Sequence, residues 1–343
     1  MGALSFGESF NSLEDAKLVN AVDGIMAAGK SMGIWLNLPA FGKNQILFKI
    51  RPFLRWLIFS AQDVKNFQNY LDVVVGMATR RIEREHSSGR DEKVQSSLDK
   101  DIFHYILHSK DPETGESLTT SELLAEARAC VFAGTDTTAT ALACSFYYLG
   151  YNPEILAKLR GELRAIFASE EEIIYGPKLK ACMYLKRVIE EVLRISNPVG
   201  GILWRETTTE YYCIGGYRLP KETDVGVPIY AIHHNSDYFP NPHEFNPDRW
   251  DDAVVGAESV TAARKAWMPF QYGSRACTGR SLALMELNLT LARIIFSHEI
   301  RIDQSRRTDV QVCIDGANPE FETKDQLAAE TVGPYLQFRK VAT

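Results

Sequence analysis

Residues 270–280 read Phe-Gln-Tyr-Gly-Ser-Arg-Ala-Cys-Thr-Gly-Arg, and they are the most informative stretch of the 343-residue chain. Cys277 stands between Gly273 and Gly279, and an apolar helical pattern starts directly after it. A thiolate that binds a metal needs backbone N–H groups directed at its sulfur, and glycines let the backbone approach that closely. The N-terminus of the following helix adds partial positive charge that favours the thiolate. The stretch therefore predicts a thiolate ligand, with Arg275 placed to meet a carboxylate. The alternative is a buried structural cysteine in a glycine turn.

A second unusual stretch is Ala-Gly-Thr-Asp-Thr-Thr at 133–138, inside a helix predicted to run from a cap at 119–122 to Gly150. Poor helix formers follow one another there, which weakens the helical hydrogen-bond ladder. Threonine hydroxyls can bond back to carbonyl groups and open a local bulge. Such a bulge would make room for a small ligand and a water beside an acid–alcohol pair, Asp136 and Thr137. The alternative is a cluster of capping or helix–helix contacts.

A third feature is the pair Glu191 and Arg194, whose i,i+3 spacing places both side chains on one face of a helix. Such a pair usually lies on the surface and contributes little to stability. Arg249, in the proline-containing stretch Phe-Asn-Pro-Asp-Arg-Trp at 245–250, joins the pair if that coil folds back onto the helix.

The composition excludes several classes of protein. With 38 Lys+Arg against 44 Asp+Glu, the formal net charge of -6 lacks the basic footprint of a nucleic-acid binder. Six cysteines are too few and too scattered for a disulfide framework. The chain does not start with a secretory signal, and no run approaches the roughly 18–20 apolar residues of a membrane span. These features predict an intracellular globular protein.

The residue pattern along the chain predicts a mainly α fold with a minor β part. Helix starts are expected at Ser12–Asp15 and at Ser60–Asp63, and a charged run at 80–93 predicts a solvated helix end and loop. The remaining expectations are a turn at 111–115, helices at 178–195 and 280–297, short strands within 211–227, an ordered coil at 237–250, and weak strands near Ile300 and at 335–338.

Taken together, the motifs resemble those of the cytochrome P450 family, and they follow one another in that family's order. The matching motifs are Ala-Gly-x-Asp-Thr-Thr at 133–138, Glu-x-x-Arg at 191–194, Phe-x-Pro-x-Arg-Trp at 245–250 and Phe-x-x-Gly-x-Arg-x-Cys-x-Gly at 270–279. The resemblance runs from about Phe6 to the C-terminus, and it implies a cytochrome P450 fold for one haem-binding domain over residues 1–343.

The resemblance assigns roles to individual residues. Cys277 is similar to the axial thiolate of haem b, which pushes electron density onto the iron and favours O–O cleavage. Asp136 and Thr137 resemble the proton-delivery pair of the oxygen-activating helix. The implied cofactor-binding residues are Arg205, Phe270, Arg275, Cys277 and Gly279, with the two arginines meeting haem propionates and Phe270 packing near the sulfur. Glu191, Arg194 and Arg249 resemble a structural cluster that holds the cysteine loop.

The implied activity is a haem-thiolate monooxygenase that inserts an oxygen atom from O2 into a small apolar substrate. The implied electron donor is an NADPH-dependent reductase, with Arg264, Lys265 and Arg280 as docking candidates if they are exposed. The apolar turn at 199–203 is similar to a substrate-contacting segment. Two other readings stay open at this stage: a truncated, non-catalytic remnant or incomplete gene model, and a peroxide-using relative that needs no reductase.

The start of the chain resembles an internal segment of fungal benzoate-hydroxylase-like and mycotoxin-pathway members. The segment is Leu-Ser-Phe-Gly-Glu-Ser-Phe at 4–10, and none of the five tryptophans is followed by an arginine four residues on. The N-terminal portion of the fold, including the anchor that places full-length relatives at the endoplasmic-reticulum membrane, is therefore expected to be missing. Membrane association is expected only through that portion or through weak apolar surface. Secondary metabolism is the expected context.

Overall fold

The structure is a computed structural model that describes residues 1–11, 14, 23–30, 33, 59–87, 100–303, 305 and 320–341. It divides into two compact units, residues 1–136 and 137–343, and the boundary between them lies inside one long helix. A single domain over residues 1–343 stays a prediction. None of the helices described is long and apolar enough to cross a membrane.

The first unit is built from helices. They are α1 (Gly2–Phe6), a helical stretch at 23–30, α2 (Ala61–Ser87), α3 (Ile102–Leu107) and the first half of α4 (Thr120–Tyr151). As predicted, α2 begins at a capping box, in which the Ser60 hydroxyl accepts from the Asp63 N–H at 3.1 Å and the Asp63 carboxylate accepts from the Ser60 N–H at 3.0 Å. The apolar face of α2 packs in a core, in which Tyr70, Val74 and Met77 are buried together with Phe6 and Phe103.

The charged run after position 80 is not uniformly solvated. Arg81 is buried, and its guanidinium reaches Asp101 at 2.7 Å and Glu85 at 2.6 Å. The prediction was wrong for this residue because its two carboxylate partners are set by the tertiary fold, and a buried charge is tolerated when it is paired. The rest of the predicted loop, residues 88–99, lies outside the described residues, as does most of the helix start predicted at Ser12–Asp15.

The second unit contains the rest of α4 and a series of further helices. These are α5 (Pro153–Ile166), α6 (Pro177–Lys180), α7 (Met183–Ile195), α8 (Ile229–His233), α9 (Asp252–Val255), α10 (Ala257–Ala266) and α11 (Arg280–Ser297), with short 3-10 turns at Pro247–Trp250 and Gly273–Arg275. Helix α11 occupies the predicted range, and the stretch at 237–250 is a coil that ends in one of the 3-10 turns. The apolar faces of α5, α7 and α11 meet in one core, with Leu159, Leu185, Val188, Leu291 and Ile295 fully buried or nearly so.

The helix predicted at 178–195 is two helices. The chain turns at Ala181–Cys182, and the first N–H groups of α7, from Tyr184 and Leu185, donate to the Glu162 carboxylate at 2.8 and 2.9 Å. The first N–H groups of a helix have no partner within that helix, and an acidic side chain near them is favourable. The partner here comes from α5, which the local sequence pattern does not reveal.

The described strands pair into antiparallel two-stranded ladders, which confirms the minor β part. The ladders join β1 (Arg205–Glu206) to β4 (Asp224–Val225), β2 (Tyr211–Ile214) to β3 (Tyr217–Pro220), β5 (His298–Ile302) to β8 (Leu336–Lys340), and β6 (Thr323–Lys324) to β7 (Glu330–Thr331). The β2–β3 hairpin turns at Gly215 and Gly216, whose positive φ angles suit glycine. Ile300 faces Phe338 across β5 and β8.

Candidate active site

The cysteine loop is a compact turn that ends at the start of α11. Gln271 and Gly273 have φ angles of +61° and +77°, and the chain then makes a 3-10 turn at Gly273–Arg275. The Cys277 N–H donates to the Phe270 carbonyl at 2.8 Å, so the loop closes on itself. Gly279 is the N-cap residue of α11. The loop therefore holds Cys277 directly in front of the N-terminus of α11.

Cys277 differs from most of the other described cysteines because its side chain is exposed. Burial raises the pKa of Cys144 to about 12 and that of Cys182 to about 11, which makes both thiols poor ligands and poor nucleophiles. A Cβ atom on Gly279 would lie 3.8 Å from the Cys277 sulfur, at ordinary contact distance. The alternative of a buried structural cysteine is wrong. Cys277 presents an accessible thiol on a fixed loop.

Helix α4 carries Asp136 and Thr137 on its middle turns, and both residues are half-buried. The predicted bulge is absent, because α-helical conformation continues without a break through residues 133–138. Helix propensity is a weak preference, and good helix formers on both sides of the stretch override it. Thr138 hydrogen-bonds to the Glu286 carboxyl group, while burial raises the pKa of that group. At this point α4 thus lies against α11, the helix that follows Cys277.

Glu191, Arg194 and Arg249 form one buried cluster, and Glu191 and Arg194 have no exposed surface. The Arg194 guanidinium donates to both Glu191 oxygens at 2.9 and 3.0 Å, and Arg249 Nε donates to Oε1 at 2.9 Å. The Glu191 carboxylate also accepts hydrogen bonds from the Trp250 indole N–H at 3.0 Å and from the Asn246 backbone N–H at 3.1 Å. Burial disfavours the charge on Glu191, yet Arg194 and Arg249 hold its pKa below the usual range. The surface alternative is wrong for this pair.

The arginines of this cluster also fix the proline-rich coil. Arg194 Nη1 donates to the His233 and Pro242 carbonyls at 2.9 and 2.7 Å. Arg249 Nη1 donates to the Pro240 carbonyl at 2.7 Å, and both guanidiniums reach the Glu244 carbonyl. These contacts give partners to carbonyl groups of a coil that has no regular backbone ladder, and they hold the coil against α7. The condition under which Arg249 joins Glu191 and Arg194 is therefore met.

His233 links this cluster to the cysteine loop, and sequence reasoning missed it. Its Nδ1–H donates to the Arg194 carbonyl at 3.1 Å, and its Nε2 accepts from the Met268 N–H at 3.0 Å. These two contacts fix the tautomer of the neutral imidazole, with the proton on Nδ1. Burial and the Arg194 charge lower the pKa of His233 to about 3. Met268 leads into the stretch 270–280. A histidine at the end of a short apolar helix gives no sequence signal for this role.

The cysteine loop and the Glu191 cluster can now be compared with those of known proteins. The family model described as Cytochrome P450 matches residues 1–313. The chain belongs to the cytochrome P450 family.

Several similar members of this family come from fungi. The chain is 32% identical over 347 residues to the cytochrome P450 monooxygenase apf7 of Gibberella fujikuroi, and this match covers 99% of the chain and 62% of the relative. It is 34% identical over 347 residues to poxM of Penicillium oxalicum, and this match covers 99% of the chain and 60% of the relative. It is 31% identical over 340 residues to lcsN of Purpureocillium lilacinum, and this match covers 98% of the chain and 95% of the relative. The chain thus spans about three fifths of the length of apf7 and poxM.

Membership in the cytochrome P450 family implies haem with a cysteine thiolate ligand, and the residues present fit such a group. Cys277 offers an accessible soft ligand. Arg205 and Arg275 are exposed, and neither forms an ion pair with a described residue, so both are available to carboxylates such as propionates. Leu284 and Met285 on the first turns of α11 keep part of their apolar surface exposed, which suits a flat apolar ring. Phe270 is joined to Cys277 through its carbonyl, and its ring lies 6.4 Å from that of Trp267.

The predicted substrate-contacting turn at 199–203 has a neighbour that sequence reasoning missed. The Ala329 N–H donates to the Pro198 carbonyl at 2.7 Å, and the Thr140 hydroxyl of α4 donates to the Ala329 carbonyl at 3.0 Å. A Cβ atom on Gly201 would come within 3.0–3.2 Å of the Asp325 carboxylate oxygens. Residues 325–329 therefore lie beside this turn. A separate cavity of about 270 Å³ is lined by residues such as Tyr147, Phe321 and Tyr335 and includes none of the predicted site residues.

The three basic residues named as docking candidates are exposed, as their prediction required. Arg264 also forms an ion pair with Glu190, at 3.0 and 3.1 Å from its two guanidinium nitrogens, so part of its charge is neutralised. Arg280 stands at the start of α11, with its guanidinium 5.7 Å from the centre of the Phe270 ring. Lys265 and Arg280 are the stronger candidates for attracting an acidic partner.

Proposed function

We propose that this chain is the haem-thiolate part of a monooxygenase that inserts one oxygen atom from O2 into a small apolar organic substrate. The observation that carries the proposal is the accessible Cys277 thiol, held by the Phe270 carbonyl on a closed loop in front of α11. The names of apf7, poxM and lcsN, all called cytochrome P450 monooxygenases, support it.

In this proposal each residue has a distinct task. Cys277 would hold haem b, which would supply the oxidation chemistry when bound, and a thiolate ligand favours O–O cleavage. Arg205 and Arg275 pair with its propionates, while Phe270 and Gly279 shape the space around the sulfur. Thr137 holds a proton-donating hydroxyl in the middle of α4, and Asp136 passes protons to that position from solvent. The buried Glu191 cluster is structural and keeps the loop in place.

The partners and substrate of the proposal follow from the surface and from the family. An NADPH-dependent reductase supplies the electrons, and Lys265 and Arg280 attract its acidic surface. The apolar turn at 199–203, with residues 325–329 beside it, contacts the substrate. From the family resemblance, the proposal places the substrate in secondary metabolism and the protein at the endoplasmic-reticulum membrane. Fractionation of fungal cells tests that location.

The test of the thiolate is reconstitution of the full chain with haem, followed by reduction and addition of carbon monoxide. The unmutated chain should show the red-shifted absorption band of a thiolate-ligated haem, and Cys277→Ser should abolish it. Cys213→Ser is the matched control, because Cys213 is also exposed but lies on β2. Absence of the band in the unmutated chain would count against the monooxygenase and leave the non-catalytic remnant.

The role of Thr137 separates the monooxygenase from a peroxide-using relative. Thr137→Ala should uncouple the reaction, so that NADPH and O2 are still consumed while little substrate is oxidised. Thr261→Ala, on the exposed face of α10, is a control that should leave the coupling unchanged. Full peroxide-driven turnover by Thr137→Ala, without any need for a reductase, would support the peroxide-using alternative instead.

A further inference from the structure

Three side chains of types that can bind a metal ion meet near the end of α8, outside the site described above. His234 directly follows the helix, His243 lies in the proline-rich coil, and Glu320 precedes β6. Their donor atoms all lie within 4.8 Å of one another. His243 Nδ1 is 2.5 Å from Glu320 Oε1, and His234 Nε2 is 3.5 Å from the same oxygen.

The surroundings of His234 suit a metal ligand. Its Nδ1–H donates to the Tyr230 carbonyl at 2.9 Å, so a neutral ring carries its lone pair on Nε2. That atom is buried and makes no well-formed hydrogen bond to any described residue, and it faces the Glu320 carboxylate. An imidazole lone pair and a carboxylate that face each other in a buried place are held together by a proton on Nε2 or by a metal ion between them. A ring N–H that donates to a backbone carbonyl is also the usual arrangement behind a metal-binding histidine.

Glu320 is available as the anionic ligand. Within the part of the chain that the structure describes, no lysine or arginine pairs with it, and its side chain is only 14% exposed. Its second oxygen, Oε2, accepts from the Tyr230 hydroxyl at 3.0 Å. The Tyr230 ring also stacks on His234, with 3.8 Å between the ring centres. Tyr230 thus orients both His234 and Glu320.

We propose that His234, His243 and Glu320 form a zinc-binding site that ties the segment before β6 to the coil after α8. Two imidazoles and one carboxylate are a common ligand set for Zn²⁺, with a fourth position left for water. Tetrahedral coordination separates neighbouring donor atoms by about 3.3 Å. The distance from His234 to Glu320 already matches, and the distance from His243 to Glu320 must open by about 1 Å. His243 is 29% exposed, which leaves room for that movement and for entry of the ion.

A second group of the same residue types shows what distinguishes this site. Glu85, His104 and His108 also bring their donor atoms together in the first unit. There, however, Glu85 already accepts a hydrogen bond from Arg81 at 2.6 Å, and His108 is largely exposed. A cation at Glu85 would have to compete with a guanidinium. The group around Glu320 has no such competitor among the described residues, so it is the preferred site.

The site has a structural consequence for the candidate active site. Residues 325–329, a few positions after Glu320, lie beside the turn at 199–203. Zinc bound at Glu320 fixes the start of that segment and so restricts its movement relative to Pro198. Zinc binding by these three residues does not depend on the oxidation chemistry.

The test is zinc titration of the full haem-loaded chain after removal of metal by a chelator, with affinity measured by competition against a zinc-binding dye. One tight site is expected. His243→Asn and Glu320→Gln should each weaken it by at least ~100-fold, and Tyr230→Phe by roughly 10–100-fold. Glu322→Gln is the matched control, since it removes an exposed carboxylate two positions further on. His108→Asn is the control for the second histidine group. Circular dichroism of each variant without metal checks that it is folded.

X-ray absorption at the zinc edge identifies the ligands independently of haem iron. Nitrogen and oxygen scatterers at about 2.0 Å, without sulfur at about 2.3 Å, are expected. Sulfur in the zinc shell, or zinc affinity that is unchanged in both His243→Asn and Glu320→Gln, would overturn the proposal. Loss of binding in His108→Asn alone would also overturn it, because it would move the site to the first unit.

Discussion

Replacing Glu191 by glutamine gives the sharpest test of how the cysteine loop is held. The carboxylate accepts five hydrogen bonds: two from Arg194 and one each from Arg249, Trp250 and the Asn246 backbone. A glutamine of the same shape has one acceptor oxygen and one NH2 group. Whichever way the amide points, at least two buried donors then face an NH2 group, and two buried guanidiniums lose their counter-charge.

Glu191→Gln should lower the free energy of unfolding by a large amount. Breaking a buried ion pair by removing one partner costs about 3–5 kcal/mol, because a charge is left buried without compensation. Domains are stable by only about 5–15 kcal/mol in total, so this single oxygen-to-nitrogen change should remove a substantial part of the free energy of unfolding. The position is fully buried, and water cannot enter to replace the lost acceptor without disrupting the core.

The assay is urea unfolding followed by far-ultraviolet circular dichroism, which does not depend on the tryptophan that Glu191 contacts. The control is Asp248→Asn, which removes a carboxylate two residues from the Trp250 contact. Asp248 pairs with Lys158 at 2.7 and 2.9 Å, and both side chains are substantially exposed. Such a pair is worth at most about 1 kcal/mol. Equal unfolding midpoints for the two variants would refute the argument that the Glu191 cluster holds this part of the fold.

Two further predictions concern other buried titratable groups. Because the pKa of His233 falls from 6.5 to about 3 on folding, the unfolded chain binds a proton more readily between these values, and stability should fall as the pH drops below 6.5. The slope contributed by His233 is at most ~1.4 kcal/mol per pH unit, and His233→Asn should flatten the pH dependence of urea unfolding; an unchanged slope would contradict the assignment. Asp101→Asn should lower the free energy of unfolding by about 3 kcal/mol, at the low end for a buried pair because Arg81 keeps Glu85 as a partner. Thermal melts of Asp101→Asn beside Glu8→Gln, whose arginine partners are exposed, check this, and similar losses for both would argue against it.

The sequence predicts well wherever the signal is local. The capping boxes at Ser60 and Thr119, the bounds of α11 and the glycine turn of the β2–β3 hairpin all depend on residues a few positions apart. The cysteine loop belongs to this group too, because its glycines and the following helix are adjacent in sequence. The grouping of Glu191 with Arg249 needed the family resemblance, since nothing local shows that a coil folds back.

The sequence predicts poorly wherever the partner is distant. The break before α7 depends on Glu162 of another helix, and the burial of Arg81 depends on Asp101 across a gap in sequence. The predicted bulge in α4 failed for a related reason. Its residues are weak helix formers when taken alone, but helix formation is cooperative and the strong flanking turns carry the ladder through. The roles of Asp136 and Thr137 therefore depend on position along an intact helix, and they stay predictions.

The position of Cys277, the candidate haem ligand, depends on a chain of contacts. Some of its residues have a local sequence signal, and others are set by partners distant in sequence. Glu191 fixes Arg194, the Arg194 carbonyl fixes the tautomer of His233, and His233 accepts the N–H of Met268 at the entrance to the cysteine stretch. Each of the first three members is at most 1% exposed, while Cys277 itself is exposed. A ligand that must reach a cofactor cannot be buried in the core, so its position has to be set by neighbours that are. The buried cluster constrains the chain as far as Met268, and an exposed thiol with buried neighbours behind it is the arrangement that the proposed haem ligand requires.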